Sequence, residues 1–282
     1  MLRDKIYKCP ICHSALFMTD KVYKCCNGHS YDIASSGYLH LLMSNKMNSK
    51  LPGDNKEMVN ARKAFLSCGY YETLSDKVNQ IIYDLIEGKE KAIILDSGSG
   101  EGYYTNRLYE SLNNRITLDI VGFDISKIAV TFAAKRNRNI DYIVASVNDI
   151  PLLDNTTDCI INIFSPIEMK EYNRISKAGG YLLLVLPGEK HLEGLKKIIY
   201  DKPYVNEVKN FINPYYQIID RVSLTYDIVV SNKESIMNLF MMTPYYYNTA
   251  PEDYNKLLNV MTLNTLIDFD IVIMKKGSNN DN

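Results

Sequence analysis

The sequence predicts an α/β fold in which a doubly wound, mostly parallel sheet follows a small metal-binding module. Apolar strand-like runs alternate with helix-like runs between residues 93 and 200, as they do in parallel sheets with crossover helices. A glycine-rich turn joins the first of these strands to its helix, and two cysteine-containing pairs precede the sheet. A chain of 282 residues with 46% hydrophobic content is long enough to bury such a core.

The overall charge excludes few partners, because the formal net charge is −1. The first 50 residues are more basic, with seven Lys or Arg against three Asp. A basic module on a near-neutral body fits a polyanionic partner, and a solvated basic face is the alternative. No apolar run reaches the roughly 20 residues that span a bilayer. We therefore expect a cytoplasmic protein without a membrane partner, whose cysteines stay reduced.

The first strong motif is a set of zinc ligands. Cys9 and Cys12 form a C-x2-C pair, and His29 pairs with either Cys25 or Cys26. Either choice gives three thiolates and one imidazole, which is a closed, structural ligand set. Buried free cysteines are the alternative, but these ligand types at this spacing favour a metal. Because so small a module has little core, zinc would supply much of its folding energy.

The segment between the metal motif and the sheet is predicted to contain a linker and two helices. Residues 30–42 alternate aromatic and small side chains, which predicts a short strand or turn packed on the module. Residues 43–56 are polar and contain a Pro-Gly pair, which indicates a linker. Asp54 is the predicted N-cap of the first helix. The second amphipathic helix is predicted from residue 74 to residue 86.

The rest of the chain alternates between strands and helices and ends in a predicted antiparallel pair. The predicted strands cover residues 93–96, 116–124, 140–145, 159–164, 181–186, 217–230 and 269–275. The predicted helices cover residues 102–112, 126–136, 169–177, 191–200, 234–242 and 251–258. Residues 279–282 are expected to be frayed.

The glycine-rich turn follows the pattern Asp96-x-Gly98-x-Gly100-x-Gly102. It differs from the dinucleotide pattern G-x-G-x-x-G, so a pyrophosphate is not the predicted ligand. Asp124 lies 22 residues beyond Gly102, where this fold places an acid against a ribose diol. S-adenosylmethionine combines an ammonium group, a ribose and an adenine, and it is the predicted cofactor. For the turn taken alone, a tight connection without a ligand is the alternative.

Two further strand ends complete this predicted site. Residues 145–151 follow the third strand, where an adenine would lie. Residues 162–166 end the fourth strand, where the transferable methyl group would point.

The motifs together resemble the RlmA family, the 23S ribosomal RNA (guanine-N1)-methyltransferases, over nearly the whole chain. The zinc motif joined to its linker is the distinguishing part, since many methyltransferases share the sheet motifs. Ser97 and Ser99 depart from relatives, which often have an aliphatic residue and a cysteine there. The segments that carry the resemblance are Cys9-Pro10-x-Cys12, Cys25-x3-His29, Tyr31-Asp32-x-Ala34-x-x-Gly37-Tyr38, Pro52-Gly53-Asp54-x-x-Glu57-Met58-x-x-Ala61-Arg62-x-Ala64-Phe65-Leu66-x-x-Gly69-x-Tyr71, Gly100-Glu101-Gly102-Tyr103-Tyr104-Thr105, Gly122-x-Asp124-x-Ser126-Lys127, Pro187-Gly188-x-x-His191-Leu192 and Met242-Thr243-Pro244.

The resemblance implies a class I, Rossmann-like S-adenosylmethionine-dependent methyltransferase with a seven-stranded sheet and a structural zinc ion. It implies a zinc-binding RNA-recognition module at residues 1–45, a linker and helix that contribute to the cofactor site at residues 46–75, and a methyltransferase domain at residues 76–282. By the family spacing, Cys25 and not Cys26 is the zinc ligand. The implied reaction is methyl transfer to N1 of a guanine in a hairpin loop of 23S ribosomal RNA, and a homodimer is an expectation from the family.

The resemblance also implies which residues form the site. Arg62 and Tyr71 are expected to close over the methionine end of the cofactor, with an ordinary surface ion pair as the alternative for Arg62. The full set of predicted cofactor-binding residues is Arg62, Tyr71, Asp96, Gly98, Ser99, Gly100, Gly102, Tyr103, Asp124, Ile125, Ser146, Val147 and Phe164.

Ser165, Pro166 and His191 are the predicted catalytic residues. The proton on guanine N1 must leave, and His191 and Glu168 are the candidate bases. Each has a structural alternative, a helix-start cap or a solvated surface group. Other functions stay open: methylation of another RNA or of a small molecule, or RNA binding without catalysis on a retained cofactor fold.

Overall fold

The computed structural model describes residues 6–43, 52–207 and 213–277, and within them it forms two sheets. The small sheet is antiparallel and contains β1 (Leu16–Thr19), β2 (Val22–Cys25) and β3 (Ser30–Asp32). The large sheet contains β4 (Tyr38–His40), β5 (Lys91–Ser97), β6 (Thr117–Asp124), β7 (Asp141–Val144), β8 (Thr157–Ile163), β9 (Ser176–Pro187), β10 (Tyr216–Val230) and β11 (Leu263–Lys276).

The helices precede and connect the strands of the large sheet. They are α1 (Lys56–Ser67), α2 (Glu72–Ile86), α3 (Tyr103–Leu112), α4 (Lys127–Arg136), α5 (Met169–Ile175), α6 (Glu193–Ile199), α7 (Lys233–Met241), α8 (Tyr245–Asn248) and α9 (Pro251–Leu257). None of the helices in the described ranges is both long enough and apolar enough to cross a membrane.

The strands of the large sheet lie in the order β10-β11-β9-β8-β5-β6-β7-β4. All neighbouring pairs from β9 to β4 are parallel, and β11 is antiparallel to both of its neighbours. Seven of these strands confirm the predicted doubly wound sheet. The eighth, β4, comes from the N-terminal module and pairs in parallel with β7. The predicted strand or turn at residues 30–42 therefore belongs partly to the main sheet.

The N-terminal module also packs on one face of the large sheet. Tyr7, Leu16 and Tyr23 are fully buried there in a core that includes the strand residues Ile143 and Leu182. The opposite face is covered mainly by α2, α3 and α4. The β7–β8 connection contains no helix along residues 145–156, all of which the structure describes. The module thus covers sheet surface beside a crossover without a helix, and parallel sheets require both faces to be covered.

Hydrogen bonds and an ion pair connect the N-terminal module to the β7–β8 connection and its flanking strand. The Tyr7 hydroxyl donates to the Asp141 carboxylate at 2.7 Å, and Lys8 Nζ pairs with Asp149 at 3.0 Å. The Lys8 backbone N–H donates to the Pro151 carbonyl at 3.0 Å. Since both side chains of the Lys8–Asp149 pair are largely buried, the contact is more than a surface ion pair.

Several predicted boundaries are wrong, and three of them have identifiable reasons. Asn55, not Asp54, caps α1, because its side chain accepts the Met58 N–H at 3.0 Å while Asp54 pairs with an arginine. The helix predicted to residue 177 ends at Ile175, since β9 already begins at Ser176. The last strand starts at Leu263 because it pairs with β10 along its whole length.

Some predictions fall on residues outside the described ranges. They are the frayed end at residues 279–282, most of the linker before residue 52, and four of the basic residues, Arg3, Lys5, Lys46 and Lys50.

Candidate active site and metal centre

The metal centre is built from two turns of the small sheet. Cys9 and Cys12 lie in the turn before β1, Cys25 ends β2, and His29 precedes β3. Their four ligand atoms lie within 4.8 Å of one another. Cys12 Sγ and Cys25 Sγ are 3.6 Å apart, and His29 Nδ1 is 3.3 Å from Cys25 Sγ. In a tetrahedral site with Zn–S bonds of about 2.3 Å, neighbouring sulfurs are about 3.8 Å apart, so the arrangement fits zinc.

The geometry selects between the two adjacent cysteines. Cys25 is buried within the cluster, whereas Cys26 is exposed and lies outside it. The Ser14 hydroxyl lies 3.1 Å from Cys12 Sγ and makes the largest contribution among the hydrogen bonds that lower the pKa of that thiol to about 5. A thiolate is the form that binds zinc, so this contact favours metal binding.

The three glycines of the turn after β5 differ in the space that surrounds them. Gly98, Gly100 and Gly102 all have positive φ angles, of 81°, 56° and 83°. A Cβ at Gly98 would lie 2.3 Å from the Ser165 Cβ, and one at Gly102 would lie 2.8 Å from the Tyr142 hydroxyl. Gly100 has no neighbour that close. Gly98 and Gly102 therefore permit close packing, and Gly100 is the glycine that leaves room for a ligand.

Asp124 ties the glycine turn to the next strand end. One carboxylate oxygen accepts the Gly100 N–H at 3.0 Å, and the other accepts the Ser126 N–H at 2.8 Å. Burial raises the pKa of this carboxyl. Each oxygen retains a second lone pair, so the group can still accept hydrogen bonds from a ribose diol.

Asp96 lies beneath the turn rather than on its surface. Its side chain is buried and accepts the Thr105 hydroxyl of α3 at 2.5 Å. Burial raises the pKa of Asp96 to about 6, and the nearby Asp124 carboxylate adds to the shift. The predicted contact with the cofactor ammonium would therefore be made from a largely enclosed carboxylate.

Arg62 reaches the turn from α1. Its guanidinium pairs with Asp54, and Nη2 donates to the Met242 carbonyl at 3.3 Å. Its Nη1 would be 3.8 Å from a Cβ at Gly100. The guanidinium thus joins the start of α1 to the end of α7 beside the open part of the turn, and this is more than the surface ion pair considered above.

Tyr71 is buried more deeply than its predicted role suggests. It packs edge-on against Phe65 and Phe269, with ring centroids 5.4 and 5.2 Å away. Its hydroxyl is 3.5 Å from His191 Nε2. Tyr71 thus supports the site from beneath and has only 3% of its surface exposed.

Three buried hydroxyls near the turn have no hydrogen-bond partner in the described part of the chain, Ser99 Oγ, Tyr104 Oη and Tyr142 Oη. An unpaired buried hydroxyl costs free energy unless a ligand satisfies it, so these donors fit a polar group such as the amino-acid end of the cofactor. Tyr103, the predicted neighbour, instead packs edge-on against Tyr104 and lies 5.7 Å from the Arg107 guanidinium. Sequence reasoning named Tyr103 and missed Tyr104.

The next strand ends bring two half-buried apolar side chains to the same edge, Ile125 after β6 and Val147 after β7. The Ser146 hydroxyl accepts the Asn148 N–H at 3.3 Å and so folds the second of these turns. This edge can receive a flat apolar group such as an adenine.

The turn after β8 carries Phe164, Ser165 and Pro166. The Ser165 hydroxyl donates to the Ser97 carbonyl at 2.7 Å and thereby joins this turn to the end of β5. Phe164 is 43% exposed and has a φ of 56°. Pro166 is exposed, and its carbonyl accepts the Asn162 amide at 2.9 Å.

His191 is poorly suited to be the base. It is 7% exposed, and burial lowers its pKa to about 3, so the imidazole is neutral. Its Nδ1 accepts the Asp268 backbone N–H at 3.3 Å, which places the ring proton on Nε2 and occupies the free lone pair. Glu168, the other candidate, caps α5 by accepting the Lys170 N–H at 3.2 Å.

Asn162 begins the predicted strand-end segment 162–166, but no role of its own was predicted for it from the sequence. It is fully buried in β8, and its amide nitrogen donates to the Tyr172 hydroxyl at 2.8 Å. That hydroxyl lies 2.7 Å from Ser97 Oγ. An amide within the apolar second half of this strand is a sequence signal, because buried polar groups need partners.

Comparison with known proteins identifies the two halves of this arrangement. A family model described as "RlmA, N-terminal" matches residues 7–50, and one described as "Methyltransferase domain" matches residues 94–180. A Bacillus subtilis protein named a 23S rRNA (guanine-N1)-methyltransferase is 30% identical, over 96% of this chain and 97% of its own. The chain belongs to the RlmA family.

Other similar proteins differ more in coverage. The Streptomyces fradiae 23S rRNA (guanine748-N1)-methyltransferase is 33% identical over 67% of this chain and 65% of its own. A solved structure of a Bacillus halodurans protein described as a methyltransferase has a TM-score of 0.47 and 12% identity, and covers 71% of this chain and 99% of its own. This member of the RlmA family is an S-adenosylmethionine-dependent methyltransferase with a structural zinc ribbon.

Zinc analysis of the purified protein checks the metal centre. We expect about one zinc per chain, and we expect His29→Ala to retain less than about half an equivalent because one ligand is missing. Cys26→Ser is the matched control, since Cys26 is exposed beside the cluster. The thermal unfolding midpoint should fall with the zinc content, because β4 joins the module to the main sheet. Equal zinc contents in the two variants would contradict the ligand assignment.

The burial of Asp96 predicts a pH dependence of stability. A carboxyl with a pKa of about 6 in the folded state and about 3.9 in the unfolded state stabilises the fold below about pH 4, and this contribution is lost as the pH rises through about 6. Asp96→Asn avoids that loss. Its free energy of unfolding relative to wild type should rise by up to about 3 kcal/mol between about pH 4 and pH 7.

Urea unfolding at several pH values measures this difference. Asp227→Asn, at an exposed position on β10, is the control and should show a flat difference. A flat difference for Asp96→Asn as well would show that its carboxyl titrates normally in the folded protein.

Proposed function

We propose that the protein transfers the methyl group of S-adenosylmethionine to N1 of a guanine in a hairpin loop of 23S ribosomal RNA. The observation that carries the proposal is the relative named a 23S rRNA (guanine-N1)-methyltransferase, which matches 96% of this chain, zinc ribbon included. A small-molecule methyltransferase would not need the zinc ribbon, and so the ribbon favours an RNA substrate.

We propose a separate role for each of three consecutive segments of the chain. Residues 1–45 recognise RNA, residues 46–75 contribute to the cofactor site, and residues 76–282 form the methyltransferase domain. Phe17 and Lys24 support RNA recognition, because they are paired directly across β1 and β2 and both are exposed. An exposed aromatic ring beside a cation suits unstacked bases and phosphates.

The proposed cofactor site surrounds the glycine turn. Asp124 would accept hydrogen bonds from the ribose hydroxyls, and Gly100 would allow the backbone to approach the cofactor. Arg62 and Asp96 would hold the amino-acid end, while Ile125 and Val147 would flank the adenine. When bound, the cofactor supplies an electrophilic methyl group, and the chain's residues position the acceptor and exclude water.

The role proposed for the catalytic set is positional. Ser165 holds the turn after β8 against β5 through its hydrogen bond to Ser97, and Pro166 shapes the same turn. His191 would support the aromatic residues around it rather than remove the guanine proton, because its lone pair is already used.

Localisation and assembly belong to the same proposal. Ribosomal RNA as substrate supports a cytoplasmic protein. A homodimer is supported by Ile218 and Ile219, which are 40% and 46% exposed on β10, a strand at the edge of the large sheet.

Transfer of tritium from labelled S-adenosylmethionine tests the reaction. Unmodified 23S ribosomal RNA should accept the label, and mapping should place it at N1 of one guanine in a hairpin loop. 16S ribosomal RNA and free guanosine are the control acceptors and should remain unlabelled. Label on the small molecule alone would favour a small-molecule methyltransferase, and cofactor binding without any transfer would favour a non-catalytic RNA-binding protein.

Calorimetry with S-adenosylmethionine tests the role of Asp124. Asp124→Ala removes a charged acceptor of two hydrogen bonds, so the dissociation constant should rise at least about tenfold. Asp227→Ala, on the exposed side of β10, should bind like the wild type. If both variants kept the wild-type affinity, Asp124 would not hold the ribose.

A further inference from the structure

The turn after β8 presents an aromatic ring in an unusual backbone conformation. Phe164 has a φ of 56°, in the left-handed region, and its side chain is 43% exposed. Bulky residues with positive φ are rare and occur mainly where the surrounding structure enforces them, often at functional sites. Exposure of a large apolar ring at the same place also costs free energy, because burying that ring would be favourable.

A buried hydrogen-bond network enforces this conformation. The Asn162 amide nitrogen donates to the Pro166 carbonyl at 2.9 Å, and its oxygen accepts the Ser165 N–H at 3.3 Å. The Phe164 N–H itself donates to the Val185 carbonyl at 3.2 Å. The backbone on both sides of Phe164 is therefore held by hydrogen bonds that do not involve its ring.

The ring stands on a column of aromatic side chains. The Phe269 centroid lies 5.1 Å from that of Phe164, and His191 is nearly parallel to Phe164 at 6.4 Å, with an interplanar angle of 21°. Phe269 and His191 are buried, and Tyr71 lies behind them. Phe164 is thus the exposed outer ring of a rigid aromatic cluster.

The cluster is adjacent to the cofactor turn. Ser165, the next residue, is so close to Gly98 that a Cβ there would lie 2.3 Å from its own Cβ. A planar ligand on the outer face of Phe164 would therefore lie beside the end of β5, where the transferable methyl group is expected.

We propose that Phe164 stacks on the target guanine, in contrast to the cofactor contact that the sequence suggested. The inference rests on the proposed function. Stacking fixes the plane of an unpaired base and leaves its hydrogen-bonding edge free. N1 lies on that edge, so a guanine held by its face on Phe164 can present N1 to the methyl group.

The chain contains no tryptophan, and this permits a direct test. Phe164→Trp places a single tryptophan at the proposed platform, and its emission can be excited selectively over that of the 22 tyrosines. Titration with unmodified 23S ribosomal RNA, in the presence of S-adenosylhomocysteine, should quench its emission by stacking. Tyr204→Trp, at a position 52% exposed elsewhere on the surface, is the matched control. Quenching that is equal at the two positions would overturn the proposal.

Kinetics separate stacking from a structural role. Phe164→Gly removes the ring and relieves the positive φ, so the unfolding midpoint and the affinity for S-adenosylmethionine should stay near wild type. Its kcat/KM for 23S ribosomal RNA should fall about tenfold to a hundredfold, and Phe164→Tyr should restore most of it. A lowered unfolding midpoint or a weakened cofactor affinity that accounted for the loss would overturn the proposal.

The wild-type control distinguishes failure of the stacking role from failure of the proposed function. If the wild type labels 23S ribosomal RNA and Phe164→Gly does so at the same rate, the stacking role alone is wrong. If the wild type transfers no methyl group to this RNA, the proposed function is wrong, and the stacking role falls with it.

Discussion

The carboxylate of Asp124 is the interaction on which the arrangement of the site depends. It accepts N–H groups from Gly100 and Ser126, so one side chain joins the turn after β5 to the turn after β6. The Ser126 hydroxyl then donates to the Asp54 carbonyl at 2.8 Å and attaches the segment before α1. These groups meet because the carboxyl ends of parallel strands share one edge of the sheet.

The zinc ribbon is structurally part of this sheet. A parallel sheet must be covered on both faces, and residues 145–156 provide no helix for the face beside β7. The ribbon covers that surface and contributes β4 to the sheet. The Lys8–Asp149 pair connects the ribbon directly to the turn proposed to flank the adenine. Zinc binding therefore also stabilises the methyltransferase half of the molecule.

The turn after β8 is held by a different kind of interaction. Asn162 and Tyr172 form a buried polar network whose hydrogen bonds are satisfied within the protein. Such a network is rigid because breaking any bond leaves a buried group unpaired. That rigidity holds Phe164 in a costly conformation. His191 is neutral for a separate reason, because burial lowers the pKa of its imidazole to about 3.

The sequence by itself determined the parallel sheet, the glycine turn, the acid Asp124 at the end of the next strand and the types of zinc ligand, because these depend on local spacing and on strand periodicity. The tertiary structure decided the features that residue spacing in the sequence does not encode. It paired β4 with β7, made Asn55 the helix cap by engaging Asp54 with Arg62, and left the Tyr104 hydroxyl without a partner among the described residues. Each of these depends on contacts between residues far apart in the chain, and their energies are set only when the sheet brings those residues together.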